Sequence, residues 1–484
     1  MTENFRKALQ EVPLRVIQGG MGIGVSSWKL ARAVALAGGI GVVSGAAIHL
    51  VIARRLQLGD PGGHLKRAFD AFPFTDVAQQ VYAKYFIPYG KKKDKPFQNP
   101  EMFSLNPSQE LNKLVVVANF VEVFLAKEGH SGLIGINYLE KIQIFHIYSL
   151  FGAMLAGVDF VTVGAGIPTQ FPSIMEKLAK GEAVEYRLDV IGAVTGEFSM
   201  RFAPREFFSG QTVPELFQPA FLPIISSNVL ANMMAKKLMG QINAFVIEGP
   251  TAGGHNAPPR DKNARNEQGE PVYGLKDVVN LAKIRALGVP FIQAGGYGHP
   301  EKYEEARQAG AAAIQAGSIF QFSEDSSLAP YLRSIAKAAA FRGTLNIRTS
   351  GVSPTGYPFK VALLTGTLSD PIVYSTRKRI CDLGLLRELY KKPDGSVGYH
   401  CSAEPVEAYV RKGGKAEDCI GKTCLCNCLL ANIDLAQHRA NGFVEPPLIT
   451  CGDDVSFAAP PLMRWREDTY RAADALEYIF GKKG

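Results

Sequence analysis

The sequence predicts an α/β protein whose core is a closed barrel of eight parallel strands, the (β/α)8 TIM barrel. Two observations support this fold. Short apolar segments rich in β-branched residues end in glycine or in another small or amide residue, as expected of buried parallel strands. At the amino-terminal end, strand, helix and strand follow one another within about thirty residues, which is the repeating unit of a parallel sheet.

Eight segments are candidate strands of this barrel. They are residues 13–22, 38–43, 132–137, 158–164 and 221–227, and the segments near 245, 291 and 313. Helix-like patterns separate some of them, and the clearest are Trp28–Leu36 and Pro300–Ala309. Because functional groups of such barrels lie at the carboxyl ends of the strands, the residues that follow each strand are the candidate site residues.

The chain has 484 residues and exceeds one ordinary barrel of about 250 residues. We therefore expect a barrel domain over 1–325 with an insertion after the second strand, at about 60–130, and a carboxyl-terminal extension over 326–484. The extension begins with an amphipathic helix, Leu328–Phe341, becomes irregular after Arg342, and is expected to pack on the barrel mouth or at a subunit interface such as a homodimer. The aromatic and lysine-rich run Tyr82–Lys93 could form part of a lid, although a solvated loop is the preferred interpretation.

Composition indicates a soluble globular protein. Charged residues make up 20% of the chain, hydrophobic ones 46%, and the net charge of +8 accompanies no concentrated basic helix, so nucleic acid is not an expected partner. Ala33–Ala53 contains no charged residue, but its glycines fit the helix-to-strand passage of a barrel better than a membrane span. The amino terminus has no apolar signal core, and we expect a cytoplasmic location.

A histidine follows one of the candidate strands. The apolar run beginning at Phe245 leads to Gly253 and Gly254 and then to His255. Glycines allow a flat ligand to lie against the backbone, and imidazole is suited to proton transfer near neutral pH. The sequence therefore makes His255 the candidate catalytic residue, whereas a surface histidine after a turn would be the alternative if the segment stood alone.

Two later strand ends carry a glycine step each. Gly295 and Gly296 follow one strand, and Gly317 and Ser318 follow the next. We refer to these four residues as the glycine cradle. In (β/α)8 barrels the loops after the seventh and eighth strands commonly bind a phosphate through backbone N–H groups, with glycines where the backbone approaches the anion. The spacing predicts such a phosphate site.

Taken together, these motifs resemble the nitronate monooxygenase (2-nitropropane dioxygenase) family, which is FMN-dependent and is related to flavin-containing enoyl-acyl-carrier-protein reductases. The resemblance spans roughly residues 13–325 in order. The segments that carry it are Ile17-Gln-Gly-Gly-Met21, Gly38-Gly-Ile-Gly41, Gly135-Ile-Asn137, Gly164-Ala-Gly166, Ala252-Gly-Gly-His255, Ala294-Gly-Gly296 and Gln315-Ala-Gly-Ser318.

The resemblance implies FMN at the strand ends and His255 as the catalytic base or proton donor. Gly20 and Met21 would lie near the isoalloxazine, Asn137 would hydrogen-bond to the flavin, and the glycine cradle would hold its phosphate. The complete predicted cofactor set is Gly20, Met21, Gly22, Asn137, Gly164, Ser226, Gly253, Gly254, Gly295, Gly296, Ala316, Gly317 and Ser318.

Three functions follow from this interpretation. The first is oxidation of a nitronate or similarly acidic carbon acid with O2; the second is reduction of an enoyl thioester with NAD(P)H; the third is a non-redox barrel that binds a phosphate ligand or a partner. The expected substrate is a small molecule, with an acyl thioester as the alternative. Many relatives carry an acidic residue where Thr251 stands, and the nearest carboxylate on the strand, Glu248, would point in a different direction.

All seven cysteines lie in the extension, at 381, 401, 419, 424, 426, 428 and 451. An odd number with close spacing does not resemble a secreted disulfide framework. Cys419, Cys424, Cys426 and Cys428 could ligate zinc or an iron–sulfur cluster, but all four fall within ten residues, which makes a tetrahedral site difficult to close. Buried or reactive thiols are the preferred interpretation, and no metal is expected.

Overall fold

Eight parallel strands form the centre of the protein. The computed structural model describes residues 2–10, 14–458 and 469–481. We number the barrel strands in chain order as β1 (Arg15–Gln18), β2 (Gly41–Ser44), β3 (Ile134–Leu139), β4 (Phe160–Gly164), β5 (Ala220–Ile225), β6 (Phe245–Glu248), β7 (Phe291–Ala294) and β8 (Ala313–Ala316). Each corresponds to one of the eight segments predicted from the sequence; Pro13 lies outside the described residues.

The strands follow chain order around the sheet, and the sheet closes on itself. β1 pairs with β8 in parallel, and each following strand pairs with its sequence neighbour as far as β2. Between β1 and β2, the N–H of Gln18 donates to the carbonyl of Ile40 at 2.9 Å, and the N–H of Ile40 donates to the carbonyl of Val16 at 2.9 Å. The predicted (β/α)8 TIM barrel is therefore confirmed.

Two apolar layers stabilise the barrel. Its interior is filled by alternate strand residues such as Val42, Leu222 and Val246, while the other strand faces pack against the surrounding helices. The amino-terminal helix contributes to the inner layer, because the fully buried ring of Phe5 lies with its centroid 4.9 Å from that of Phe160. The base of the barrel is thus closed by an aromatic side chain from outside the sheet.

Helices surround the barrel. The predicted helix Trp28–Leu36 is confirmed, and the predicted Pro300–Ala309 is observed as Pro300–Gln308. The other α-helices before the extension are Thr2–Ala8, Ile48–Gln57, His64–Asp70, Thr75–Tyr85, Gln109–Lys127, His146–Leu155, Phe171–Ala179, Pro204–Phe207, Asn228–Lys237, Leu281–Arg285 and Ser318–Gln321, with 3-10 helices at Gln143–Phe145 and Leu275–Asp277.

The insertion predicted at about 60–130 is largely helical. Its longest helix, Gln109–Lys127, begins at an N-cap formed by Ser108, whose hydroxyl accepts a hydrogen bond from the N–H of Leu111. Most residues of this helix are buried, and it packs along His146–Leu155. At the contact, a Cβ on Gly152 would lie 2.1 Å from the carbonyl oxygen of Val116. A glycine is therefore needed for the close approach of the two helices.

The extension is more regular than its sequence predicts. Its first helix is Pro330–Phe341, close to the prediction. Two antiparallel hairpins follow where irregular structure was expected, Asn346–Ser350 with Phe359–Leu363 and Glu388–Lys391 with Val397–His400. That prediction was wrong because these short strands lack a regular alternation of buried and exposed residues. The extension also contains the helices Pro371–Thr376, Val406–Arg411, Leu425–Ala431 and Ala472–Ile479, and the 3-10 helices Ala416–Cys419 and Ser456–Ala458.

Two further features complete the fold. A hairpin that the sequence did not reveal, Val184–Arg187 with Ser199–Phe202, lies between β4 and β5. The uncharged segment Ala33–Ala53 is divided between two helices and β2. Among the described residues, the helices are all too short or too polar to span a lipid bilayer.

The contact at Gly152 gives a test of helix packing. Gly152→Ala should lower the free energy of unfolding by about 1–3 kcal/mol, because the added methyl group forces the two helices apart. Gly274→Ala is the matched control, since a Cβ there meets no atom within 4 Å. Denaturant unfolding followed by circular dichroism measures both variants, and equal stability of the two would contradict this account of the helix contact.

Candidate functional site

A cavity opens at the carboxyl ends of the barrel strands. Of the predicted site residues, it brings together His255 and all of the cofactor set except Ser226. The shared cavity wall is therefore formed by Gly20, Met21, Gly22, Asn137, Gly164, Gly253, Gly254, His255, Gly295, Gly296, Ala316, Gly317 and Ser318.

Ser226 is the exception. β5 ends at Ile225, and Ile224 is the residue of this strand that lines the main cavity. Ser226 instead lines a smaller neighbouring cavity, together with Asn256 and Tyr273. The predicted contact between Ser226 and the cofactor is corrected accordingly, because the chain leaves the strand before the alternation of side chains reaches this residue.

The loop after β1 is fixed by buried hydrogen bonds. The hydroxyl of Ser26 accepts from the backbone N–H of Met21 at 2.8 Å and from the side-chain amide of Gln18 at 2.7 Å. The amide oxygen of Gln18 in turn accepts from the N–H of Val42 at 3.1 Å. Because Gln18 and Ser26 are buried, this network holds the Gly20-Met21 backbone rigidly at the cavity wall.

Asn137 lies at the end of the pairing between β2 and β3 and packs directly on the loop after β1. A Cβ on Gly20 would lie 2.4 Å from the Cβ of Asn137, so only glycine fits there. The Asn137 side-chain amide approaches the carbonyl of Gly20 at 3.4 Å, and its carbonyl oxygen has no hydrogen bond to the described residues. That oxygen is available to a ligand.

The glycine cradle offers free donors. Within the described part of the chain, none of its four backbone N–H groups makes a hydrogen bond, although all four residues line the cavity. Gly295 and Gly296 adopt φ angles of 92° and 75°, which other residues rarely accept. A Cβ on Gly317 would meet only Met21, at 3.6 Å, so the space beside the backbone is open. These features fit a bound phosphate.

The two glycines before His255 have different roles. Gly254 has a φ of 79° and no atom within 4 Å of an added Cβ, which fits the approach of a ligand. At Gly253 an added Cβ would lie 2.7 Å from the carbonyl carbon of Cys451 in the extension. The lack of a side chain at Gly253 therefore permits packing of the extension, whereas the sequence interpretation assigned it to ligand approach.

His255 lines the cavity and is mostly buried. Burial and, to a smaller extent, the positive charge of Lys141 lower the pKa of its imidazole to about 3. Its Nε2 lies 2.7 Å from the hydroxyl of Ser353, a fully buried residue of the extension. Burial likewise lowers the pKa of the Lys141 amine to about 7, and this amine lies over the ring of Tyr357.

Glu248, at the end of β6, also lines the main cavity, although the sequence suggested a different direction for it. It lies in the wall between the main cavity and the smaller one. Burial raises the pKa of its carboxyl to about 8, and the carboxyl makes no hydrogen bond among the described residues. At neutral pH the carboxyl is therefore mostly protonated and can donate as well as accept a hydrogen bond.

The extension forms one side of the cavity mouth. Its segment Thr450–Asp454 runs beside the loop after β6: the hydroxyl of Thr450 accepts from the N–H of Gly254 at 2.8 Å, and the N–H of Asp453 donates to the carbonyl of Thr251 at 3.0 Å. The N–H of Gly452 also donates to the hydroxyl of Ser318 at 2.8 Å. The expected packing of the extension on the barrel mouth is thus observed, but the residues that make it were not identified from the sequence.

The helical insertion contributes nothing to this cavity. The described cavity wall includes no residue from 60–130, so the lid interpretation of Tyr82–Lys93 has no structural support. Lys84 lies in the helix Thr75–Tyr85, and the other lysines of the run lie on a loop, where the amine of Lys91 donates to the carbonyl of Lys95 at 2.7 Å.

The seven cysteines are free thiols in the extension. Interaction with Cys401 lowers the pKa of Cys381, and interaction with Cys424 raises that of Cys426. In the part of the chain that the structure describes, no group of three or more histidine, cysteine or acidic side chains is arranged to hold a metal ion. Burial raises the pKa of Cys451 to about 12, so this thiol stays protonated at neutral pH.

Comparison with known proteins bears on these observations. The family model described as nitronate monooxygenase matches residues 211–355, which include β5 to β8, His255, the glycine cradle and Ser353. This part of the chain is similar to the nitronate monooxygenases. The resemblance predicted from the sequence is thereby confirmed, and the match supports an FMN-dependent oxidoreductase. It extends thirty residues past the predicted domain boundary at 325. No curated protein matches the chain.

Solved structures with a similar fold include FabK from Thermotoga maritima, at 16% identity and a TM-score of 0.48, covering 98% of this chain and 93% of that one. Nitroalkane oxidase from Streptomyces ansochromogenes matches at 15% identity and a TM-score of 0.38, and the match covers 72% of this chain and 76% of that one. The enoyl reductase domain of MlnA from Bacillus amyloliquefaciens matches at 13% identity and a TM-score of 0.36, and the match covers 76% of this chain and 66% of that one. None of these similarities is strong enough to assign an activity.

The buried carboxyl of Glu248 predicts a pH-dependent stability. The pKa of this carboxyl is raised in the folded state, so between about pH 4.5 and about pH 8 the unfolded chain releases the proton and the folded chain retains it. The contribution of this carboxyl to the free energy of unfolding therefore falls as the pH rises through this range. Glu248→Gln removes the effect: the variant should be about as stable as the parent at pH 5 and more stable at pH 8. Thermal unfolding at several pH values measures this, with exposed Glu267→Gln as the control. A pH-independent difference would contradict the assignment.

Proposed function

We propose that this chain is an FMN-dependent oxidoreductase that oxidises a nitronate, or a similarly acidic carbon acid, with O2. The observation that carries the proposal is the meeting in one cavity of the glycine cradle, with its free N–H groups, and His255, at the carboxyl ends of the barrel strands. This arrangement supports a phosphate-bearing cofactor and a proton-transfer residue on the same cavity wall. The family match over residues 211–355 supports the same conclusion.

The residues present fit FMN. The glycine cradle would hold the phosphate through backbone N–H groups, and the free side-chain oxygen of Asn137 would accept a hydrogen bond from the flavin. The fixed loop at Gly20 and Met21 would contact the ring system. When bound, FMN supplies the redox chemistry, accepting electrons from the substrate and passing them to O2.

The role of this chain in the reaction is the transfer of a proton. Because burial keeps the imidazole of His255 neutral, one ring nitrogen has a lone pair that can accept the proton of an acidic carbon. The negative charge that develops on the substrate favours the imidazolium that is formed beside it. The extension excludes water from this side of the cavity, which strengthens the interaction between the two charges.

Reduction of an enoyl thioester with NAD(P)H would require His255 to donate a proton. A histidine whose pKa is about 3 is protonated in only a small fraction of molecules at neutral pH. A base of that pKa is also weak, so the pKa does not distinguish the two reactions, and it is the family match over residues 211–355 that favours oxidation of a carbon acid.

The cofactor assignment gives a direct test. The protein as purified should be yellow and should release one FMN per chain on denaturation. Gly317→Leu should lose most of its flavin, because a side chain would fill the space beside the phosphate donors. Gly274→Leu, at an exposed position, should retain it. Absorbance of the released flavin measures both variants; parent protein that cannot be reconstituted with FMN would exclude the proposal.

The role of His255 can be tested with two forms of one substrate. His255→Ala should keep its FMN but lose turnover of a neutral nitroalkane by about 10²- to 10⁴-fold, since proton abstraction is lost. The preformed nitronate is already deprotonated and should be affected less. Oxygen consumption measures both reactions. Equal losses on the two forms would contradict the role as a base, and flavin reoxidation by an enoyl thioester after NAD(P)H reduction would favour the reductase instead.

A further inference from the structure

The hydrogen-bond partner of His255 comes from outside the barrel. His255 follows β6, whereas Ser353, 98 residues later, belongs to the loop of the first extension hairpin. The distance of 2.7 Å between Nε2 and the Ser353 hydroxyl is short for a neutral pair, and Ser353 is fully buried. This hydrogen bond is therefore shielded from competition by water.

The loop that carries Ser353 is fixed on both sides. The N–H of Asn256 donates to the carbonyl of Pro358 at 2.9 Å, and the N–H of Lys360 donates to the carbonyl of Gly254 at 3.0 Å. The amine of Lys422 donates to the carbonyl of Ser353 at 3.0 Å. The backbone on each side of His255 is thus hydrogen-bonded to the hairpin that holds Ser353, and the two side chains cannot separate without disrupting this pairing.

The hydroxyl of Ser353 has a second hydroxyl partner. Thr355 Oγ1 lies 2.8 Å from Ser353 Oγ, and the N–H of Thr355 donates to the same oxygen at 3.3 Å. A hydroxyl has one donor and two acceptor positions, so two arrangements of protons satisfy the hydrogen bonds of Ser353. Ser353 either donates to Nε2 and accepts from the Thr355 hydroxyl, or accepts from a protonated Nε2 and donates to Thr355.

The second arrangement prepares His255 to act as a base. With the proton on Nε2, the lone pair of a neutral imidazole lies on Nδ1, which makes no hydrogen bond among the described residues. When Nδ1 then accepts a proton, the Nε2–H continues to donate to Ser353. The hydrogen bond therefore stabilises the imidazolium, which burial otherwise disfavours.

We propose that Ser353, supported by Thr355, is a positioning residue that holds the imidazole of His255 with Nδ1 towards the substrate and stabilises it after it has accepted a proton. This inference rests on the proposed function, in which His255 transfers a proton. It assigns to the extension a direct part in the chemistry of the barrel.

The kinetic test uses the full-length, FMN-loaded protein. Ser353→Ala should keep its flavin and lower kcat for a neutral nitroalkane by about 10- to 100-fold, as loss of an orienting partner commonly does, while KM changes little. Ser353→Thr retains the hydroxyl and should recover most of the activity. Ser350→Ala is the matched control, because this hydroxyl of the same hairpin donates only to the backbone carbonyl of Phe359. Unchanged kcat in Ser353→Ala would overturn the proposal.

A spectroscopic test does not depend on turnover. In protein labelled with 15N-histidine, the His255 ring signals are identified by their loss in His255→Gln. Ser353→Ala should shift the Nε2 signal, and Ser350→Ala should not. If Ser353→Ala shifts the Nε2 signal but the parent protein oxidises no carbon acid, the contact between Ser353 and His255 is supported and the proposed function is rejected. An unshifted signal would overturn the inference even if the parent protein proves active.

Discussion

The arrangement of the site depends on the close approach of two backbone segments, the loop after β6 and the segment Thr450–Asp454. Only glycine at 253 permits this approach, because a side chain would overlap the backbone at Cys451. Hydrogen bonds at Thr450 and Asp453 then fix the distance between the segments. With the loop fixed in this way, His255 meets Ser353, and the mouth of the barrel acquires a wall that the eight strands alone do not provide.

Burial favours the neutral form of two titratable groups on the cavity wall, His255 and Glu248, and of Lys141, which acts electrostatically on His255. Burial lowers the pKa of His255 to about 3 and that of Lys141 to about 7, and raises that of Glu248 to about 8. All three shifts favour the neutral form, as a low dielectric requires. The cavity wall is not free of charge, because it also includes Asp454, whose pKa is lowered to about 2 and whose carboxylate lies 2.8 Å from Nε2 of His299.

The sequence revealed the barrel because each strand carries a local pattern. β-branched residues followed by glycine are visible within a few positions, and the same glycines identify the cradle and His255. The contact between His255 and Ser353 joins residues 98 apart, and neither residue has a neighbouring pattern that indicates its partner. The short hairpin strands of the extension lack a regular alternation of buried and exposed residues, so no local pattern marks them either. The packing of the extension against Gly253 was not foreseen, because a glycine pattern shows that space is needed but not what occupies it.

The position of Thr450–Asp454 so late in the chain affects how the protein matures during synthesis. Translation proceeds from the amino terminus, and domains generally fold as units as they emerge. All eight strands are complete by Ala316, but the wall beside Gly253 is built from residues synthesised more than a hundred positions later. A nascent barrel therefore exposes an unfinished cavity to the cell. The ribosome must deliver nearly the whole of this sequence before the extension can cover the side of the cavity that carries His255.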